Sequence, residues 1–113
     1  MNDNNKIKTL YVLNPTSGRS NAEQIFNEIK PYINNEYITL VTKEKNQAYD
    51  VLSSIYLDNI DQIIGIGGDG TIKEIIEAIK NNKNFNNISV GHIPAGTGNG
   101  LAASIMYSNG YKY

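Results

Sequence analysis

The chain contains no cysteine and a single histidine, His92. These two absences exclude disulfide scaffolds, thiolate zinc sites, a cysteine nucleophile and a multi-histidine metal cage within one chain. Charge of one sign is also missing. Ten Lys and Arg against eleven Asp and Glu leave a formal charge of −1, so there is no basic surplus to neutralise a phosphate backbone, and nucleic acid is not an expected partner. No apolar run approaches the ~20 residues that cross a bilayer. The opening stretch Met1-Asn2-Asp3-Asn4-Asn5 is polar and has no signal-peptide pattern, which makes the cytoplasm the expected location. At 113 residues, 40% apolar and 19% charged, the chain is one small globular domain or part of one.

Asparagine is in excess. Seventeen are present, clustered at residues 2–5 and 81–87. The clusters are short and interrupted, so we read them as compositional bias showing in loops rather than as an asparagine-ladder function.

Residues 7–13 (IKTLYVL) read as a strand, being rich in β-branched and aromatic side chains. A turn follows through Asn14-Pro15-Thr16-Ser17-Gly18-Arg19. Ser20 with Glu23 three residues on has the form of a capping box, and Ala22, Ile25, Phe26 and Ile29 then recur on one helical face. Residues 37–42 read as a second strand, Ala48, Val51, Leu52 and Ile55 as a second helical stripe, and residues 63–66 as a third strand. Ile72, Ile75, Ile76 and Ile79 give a third stripe, 81–87 a polar loop, 88–93 a fourth strand, and 101–106 a short final helix. Strands alternating with one-faced helices imply an α/β fold: a mostly parallel sheet flanked by helices in three layers, α/β/α. Right-handed crossovers bring the loops that leave the strands to the carboxyl edge, where such sheets bind ligands.

Two of those loops are rich in glycine. Gly65-Ile66-Gly67-Gly68-Asp69-Gly70 follows a strand and opens a helix. Glycine lets a backbone approach a ligand closely, and the N–H groups of a helix N-terminus attract anions, so this is a candidate phosphate site. It is not a dinucleotide fingerprint, because no acidic residue lies about twenty positions on to take the ribose hydroxyls. The P-loop pattern is also absent. Asp69 can hold Mg²⁺ or accept a proton from an attacking hydroxyl, and it can equally serve as an Asx turn or helix cap. Pro94-Ala95-Gly96-Thr97-Gly98-Asn99-Gly100 is the second loop, and its Thr97 and neighbouring N–H groups suit phosphate oxygens. By position alone, Glu74 reads as a solvated charge near a helix N-terminus, His92 as a packed strand residue, and Arg19 as either a phosphate contact or a solvated loop residue.

Gly67-Gly68-Asp69-Gly70-Thr71 with Glu74, followed by Pro94-Ala95-Gly96-Thr97-Gly98-Asn99, resembles the diacylglycerol kinase catalytic domain superfamily, which includes sphingosine, ceramide and bacterial lipid kinases. Asn14-Pro15 after the first strand and Thr42-Lys43-Glu44 after the second fit the same pattern. The resemblance runs over residues 10–113. Where diacylglycerol kinases usually read Pro-Leu-Gly-Thr-Gly-Asn-Asp, this chain has Ala95 and Gly100, then Leu101-Ala102-Ala103-Ser104, which is most similar to the sphingosine kinases.

The resemblance implies ATP across the carboxyl edge, with Asn14, Thr16, Thr42, Gly70, Thr71, Glu74 and the Gly96-Thr97-Gly98 loop at the nucleotide. It implies that Gly67 and Gly68 admit the phosphates and that Mg²⁺ neutralises the transferred group. Asp69 would be the general base on the primary hydroxyl of a lipid, a sphingoid base in the sphingosine kinases. Thr16 departs from the family, which usually has a basic residue or glycine there. The family's β-rich, lipid-binding second lobe has no counterpart in these residues. Residues 1–6 are therefore expected to be a disordered polar start, and 7–113 the nucleotide-binding lobe of a longer enzyme, inactive alone and touching membrane only peripherally when full length. The alternatives are a diacylglycerol- or ceramide-kinase lobe, an enzyme resembling NAD kinase or phosphofructokinase, and a non-catalytic nucleotide-binding module.

Overall fold

The computed structural model describes residues 7–15, 21–56, 59–85, 87–95 and 111–112. The expectations for residues 1–6, for Ser20 as a cap and for a helix at 101–106 lie outside the described residues.

Strand β1 (Lys8–Leu13) leads to helix α1 (Ala22–Ile29), which closes through a 3-10 turn, Lys30–Tyr32. Pro31 in that turn stops the helix, since its ring removes an N–H and crowds the preceding turn. Strand β2 (Glu36–Val41), helix α2 (Gln47–Leu52), strand β3 (Gln62–Gly67), helix α3 (Asp69–Asn81) and strand β4 (Ser89–Pro94) follow, and then a two-residue strand, β5 (Tyr111–Lys112). The sheet order is β2-β1-β3-β4-β5. The first four strands are parallel, and β5 pairs antiparallel with β4. The expected three-layer α/β/α architecture is therefore present.

Three sequence expectations are corrected. The N-cap position of α1 is Asn21, one residue later than expected, and the Asn21 side chain makes no capping bond. The second strand runs one residue earlier than expected, which leaves Thr42 beyond its end. The 81–87 stretch is not simply a polar loop: Asn81 ends α3, and Asn82 and Phe85 are buried.

Side chains alternate between the two faces of the sheet. On one face Leu10, Val12, Ile63 and Val90 pack against Ala48 and Leu52 of α2 and Ile75, Ala78 and Ile79 of α3. On the other, Tyr11, Leu13, Ile64, Ile66 and Ile93 pack against Ala22, Ile25 and Phe26 of α1. Tyr11, Phe26 and Tyr37 form a cluster of tilted and edge-to-face rings with centroids 5.2 to 5.8 Å apart. The apolar stripes read in the sequence are thus the inner faces of the helices.

The chain leaves β1 in one direction, to β2, and returns on the other side, to β3 and β4. The order reverses between β1 and β3. In open α/β sheets the crevice at such a reversal, beyond the carboxyl ends of the strands, is where ligands bind. Here it lies between Asn14 and Gly68.

Candidate active site

Asn14 closes the crevice from the β1 side. Its backbone N–H donates to the Ile66 carbonyl at 3.1 Å, and its Nδ2 donates to Thr71 Oγ1, also at 3.1 Å. Thr71 is buried in the first turn of α3, with its N–H on the Gly68 carbonyl. Gly67 is glycine because Thr71 lies against it: a Cβ at position 67 would come within 2.6 Å of Thr71 Oγ1. The sequence reading gave Gly67 a direct part in admitting phosphate, whereas its visible constraint is this internal packing.

Gly68 and Gly70 differ from Gly67. A Cβ at either would meet nothing within 4 Å. Gly68 has φ −89° and ψ −170°, an extended conformation open to any residue. Gly70 is the second residue of α3, in its first turn, where glycine is less favourable than alanine by up to ~1 kcal/mol, the helix-interior figure. Neither internal sterics nor backbone conformation requires glycine at these positions. Their consequence is a bare backbone facing solvent at the N-terminus of a 13-residue helix, where N–H groups and the helix dipole favour an anion.

Between those two glycines stands Asp69, exposed, as the first residue of α3. The sequence left open whether it serves chemistry or caps the helix. The N-cap position belongs to Gly68 and no side chain caps it. Among the described residues the Asp69 carboxylate makes no hydrogen bond or ion pair, and it faces outward beside the open backbone.

An open cleft of about 560 Å³ runs from this turn to the loop after β2, within the usual size of small-molecule sites. Five of the expected site residues line it: Asn14, Gly68, Gly70, Thr71 and Glu74. Lys43, Glu44 and Lys45 line it as well. The sequence places the loop of residues 43–47 at the carboxyl edge but singles out neither lysine.

Glu74 is not the solvated charge its position suggests. Its Oε2 accepts the Asn46 N–H at 3.2 Å and its Oε1 the Tyr49 N–H at 3.3 Å, so α3 supplies the acceptor for the start of α2. Asn46 there has φ 68°, in the left-handed region. The N–H groups of Lys43 and Glu44 both donate to Gln47 Oε1. The loop carrying the two lysines is thereby held from both sides.

Thr42, expected at the nucleotide, is 1% exposed, and both its N–H and its hydroxyl turn to the Leu13 carbonyl, at 2.9 and 3.3 Å. His92 is half-buried, with Nε2 2.8 Å from the Gly67 carbonyl. Thr16, Arg19, Gly96, Thr97 and Gly98 lie outside the described residues.

Among the described residues no group of three His, Cys, Asp or Glu side chains is arranged to hold a metal ion. A lone outward carboxylate such as Asp69 fits Mg²⁺ of the kind bound by one or two carboxylates, water and substrate phosphates, rather than by an all-protein cage.

The arrangement can therefore seat an anion at a helix N-terminus, beside a carboxylate free to take a proton and two lysines free to offset charge. Sphingosine kinase 2 of Arabidopsis thaliana is 29% identical over 112 residues, covering 93% of this chain and 23% of that protein. Sphingosine kinase B of Dictyostelium discoideum is 33% identical over 108 residues, covering 90% and 14%. The structure of a putative diacylglycerol kinase from Bacillus anthracis superposes with a TM-score of 0.64 at 27% identity, covering 80% of this chain and 31% of that one. The chain thus spans less than a third of each of these proteins. The profile of the diacylglycerol kinase catalytic domain matches residues 8–112, which take in the whole sheet and the Gly67–Thr71 turn. This chain belongs to the diacylglycerol kinase catalytic domain family.

Proposed function

We propose that this chain is the nucleotide-binding lobe of an ATP-dependent lipid kinase that transfers the γ-phosphoryl group to the primary hydroxyl of a sphingoid base. The observation that carries the reading is Asp69, uncommitted in hydrogen bonding and placed between two glycines whose backbone is bare, at the point where the strand order reverses. The sphingoid base is preferred because relatives matched over 93 to 94% of this chain are named sphingosine or sphingoid long chain base kinases. Diacylglycerol is the second reading, on the strength of the Bacillus anthracis structure.

In this mechanism Asn14 and Thr71 set one wall of the phosphate site, and Gly68 and Gly70 offer their backbone to the phosphates. Thr16, Glu74 and the Gly96-Thr97-Gly98 loop complete the nucleotide site, with Lys43 and Lys45 offsetting its charge and the buried Thr42 supporting the end of β1 from behind. Asp69 accepts the proton of the lipid hydroxyl as that oxygen bonds to the γ-phosphorus. The bond from phosphorus to the bridging oxygen breaks, and ADP leaves with the electron pair. Mg²⁺, bound chiefly through the phosphates and water, would supply charge neutralisation and leave the Asp69 carboxylate for the proton. Positioning and charge stabilisation carry such a transfer, and no covalent intermediate on the protein is needed. The lipid is enclosed by a further, β-rich lobe, and the protein is cytoplasmic with peripheral membrane contact when that lobe is present.

The test is calorimetric titration of the purified chain with Mg·ATP, followed by a phosphotransfer assay on sphingosine and on a short-chain diacylglycerol. Saturable Mg·ATP binding with little or no lipid turnover is expected from the chain alone. Absence of binding would overturn the nucleotide site, and robust turnover would overturn the need for a second lobe.

A further inference from the structure

The Gly67 carbonyl is held twice. The Ala95 N–H donates to it at 3.1 Å, continuing the β3–β4 ladder beyond Pro94. Nε2 of His92 lies 2.8 Å from the same oxygen, on its second lone pair. His92 comes from β4 with Gly65 as its register partner, and Gly67 pairs with Pro94. Alternation puts His92 on the sheet face of Val90, the face covered by α2 and α3. A side chain from one strand thus reaches diagonally across to the end of the next.

That oxygen matters because of the peptide it belongs to. The Gly67–Gly68 peptide is planar and trans, so a carbonyl held toward β4 turns the Gly68 N–H the opposite way, toward β1. The cleft lined by Asn14 and Gly68 lies on that side. Gly68 has no side chain, and nothing lies within 4 Å of where a Cβ would be. On the cleft side Thr71 and Asn14 bound the Gly67 end of this peptide and leave its Gly68 end bare, while both hydrogen bonds to its carbonyl come from the β4 side.

We infer that His92 is a positioning residue that fixes the Gly67–Gly68 peptide plane and so aims the Gly68 N–H into the nucleotide cleft. The inference concerns the turn itself, and its consequence for affinity rests on the nucleotide-binding reading above. His92 is not among the residues that line the cleft. It acts through the Gly67 carbonyl, and since that oxygen only accepts, Nε2 carries the proton.

His92 is the only histidine, so its ring signals need no assignment. In long-range nitrogen–proton spectra of the full chain, an Nε2-protonated ring with a slowly exchanging proton is expected. A ring protonated on Nδ1 alone would overturn the inference without any variant. The second readout is amide exchange at residues 68–71 in ligand-free protein. His92→Leu is expected to speed exchange there by about tenfold, and His92→Gln, whose amide can donate to the same carbonyl, to restore it. Unchanged exchange in His92→Leu overturns the positioning role. If His92→Leu does not fold, the ring spectrum and the Gln variant decide. The third readout is Mg·ATP affinity, expected to fall about tenfold in His92→Leu and to return in His92→Gln. Equal binding by wild type and His92→Leu would defeat the inference. No binding by wild type, with the exchange pattern as expected, would defeat the nucleotide reading and leave the hold on the turn standing.

Discussion

Glycines 67, 68 and 70 sit within one turn and are there for different physical reasons, which substitution separates. Gly67→Ala drives a methyl against Thr71, which is itself tied to Asn14, so the variant is expected to lose about 1–3 kcal/mol of stability in a denaturant melt. Gly70→Ala places its methyl in open space in the first turn of a helix and is expected to gain up to about 1 kcal/mol in the same melt while weakening Mg·ATP binding. A Gly70→Ala variant that binds Mg·ATP as well as wild type would remove the argument that this backbone faces the phosphates. The asparagines also divide. Asn46, Asn59 and Asn87 are the positive-φ non-glycine residues among those described, with φ 68°, 62° and 56°, a region asparagine enters more easily than most residues. Asn82 is 4% exposed, and its Nδ2 donates to the Leu52 and Ile55 carbonyls at 2.7 and 2.8 Å while its Oδ1 accepts the Asn84 N–H. Asn82→Leu would strand those two carbonyls and is expected to cost about 1–3 kcal/mol. Compositional bias therefore does not account for the whole asparagine excess. Composition gives a count, whereas burial and φ depend on neighbours that a count does not contain.

At the level of elements, periodicity was a reliable guide and ends were not. The stripe Ile72, Ile75, Ile76, Ile79 is α3, because 3.6-residue spacing reflects the one face a helix can bury. Ile75 is fully buried beside Gly65, and Ile75→Ala is expected to cost about 2–5 kcal/mol. Ile55, grouped with the α2 stripe, falls after the helix ends at Leu52 yet still packs on the same core. Strand β5 was not legible: two residues carry no period, and their pairing depends on β4 alone. In the site, the Gly67–Thr71 turn and Asn14 could be read directly, since glycine and motif spacing are local. The capping of α2 by Glu74 could not, because its partners Asn46 and Tyr49 lie 28 and 25 residues away. Glu74→Ala is expected to lower stability by about 1 kcal/mol and to speed amide exchange at residues 46–49, which would separate its structural part from any contact with nucleotide.

For the whole molecule, the sheet has one bonded neighbour for β2, which is β1, and its other side is an edge among the described residues. That edge has a single charge, Glu36, at its start, and reads YITLV thereafter with Val41 exposed. Natural sheets usually guard such edges with lysine, proline or a bulge. Thr39 is exposed on this strand. Thr39→Lys is expected to reduce concentration-dependent association in light scattering, and unchanged association would place the contact elsewhere. The strand order has one more consequence, and it concerns time. Strand β1 is an inner strand that pairs with β2 and β3, so it owns no local partner: Thr9 accepts from Gln62, 53 residues away. On a ribosome adding about 5–20 residues per second, the strand made first waits about 3–10 s for its second neighbour to be made. Through that interval TLYVL, buried in the finished fold, is an apolar strand with an open side. Until β3 is made, that open side is a surface on which association competes with folding.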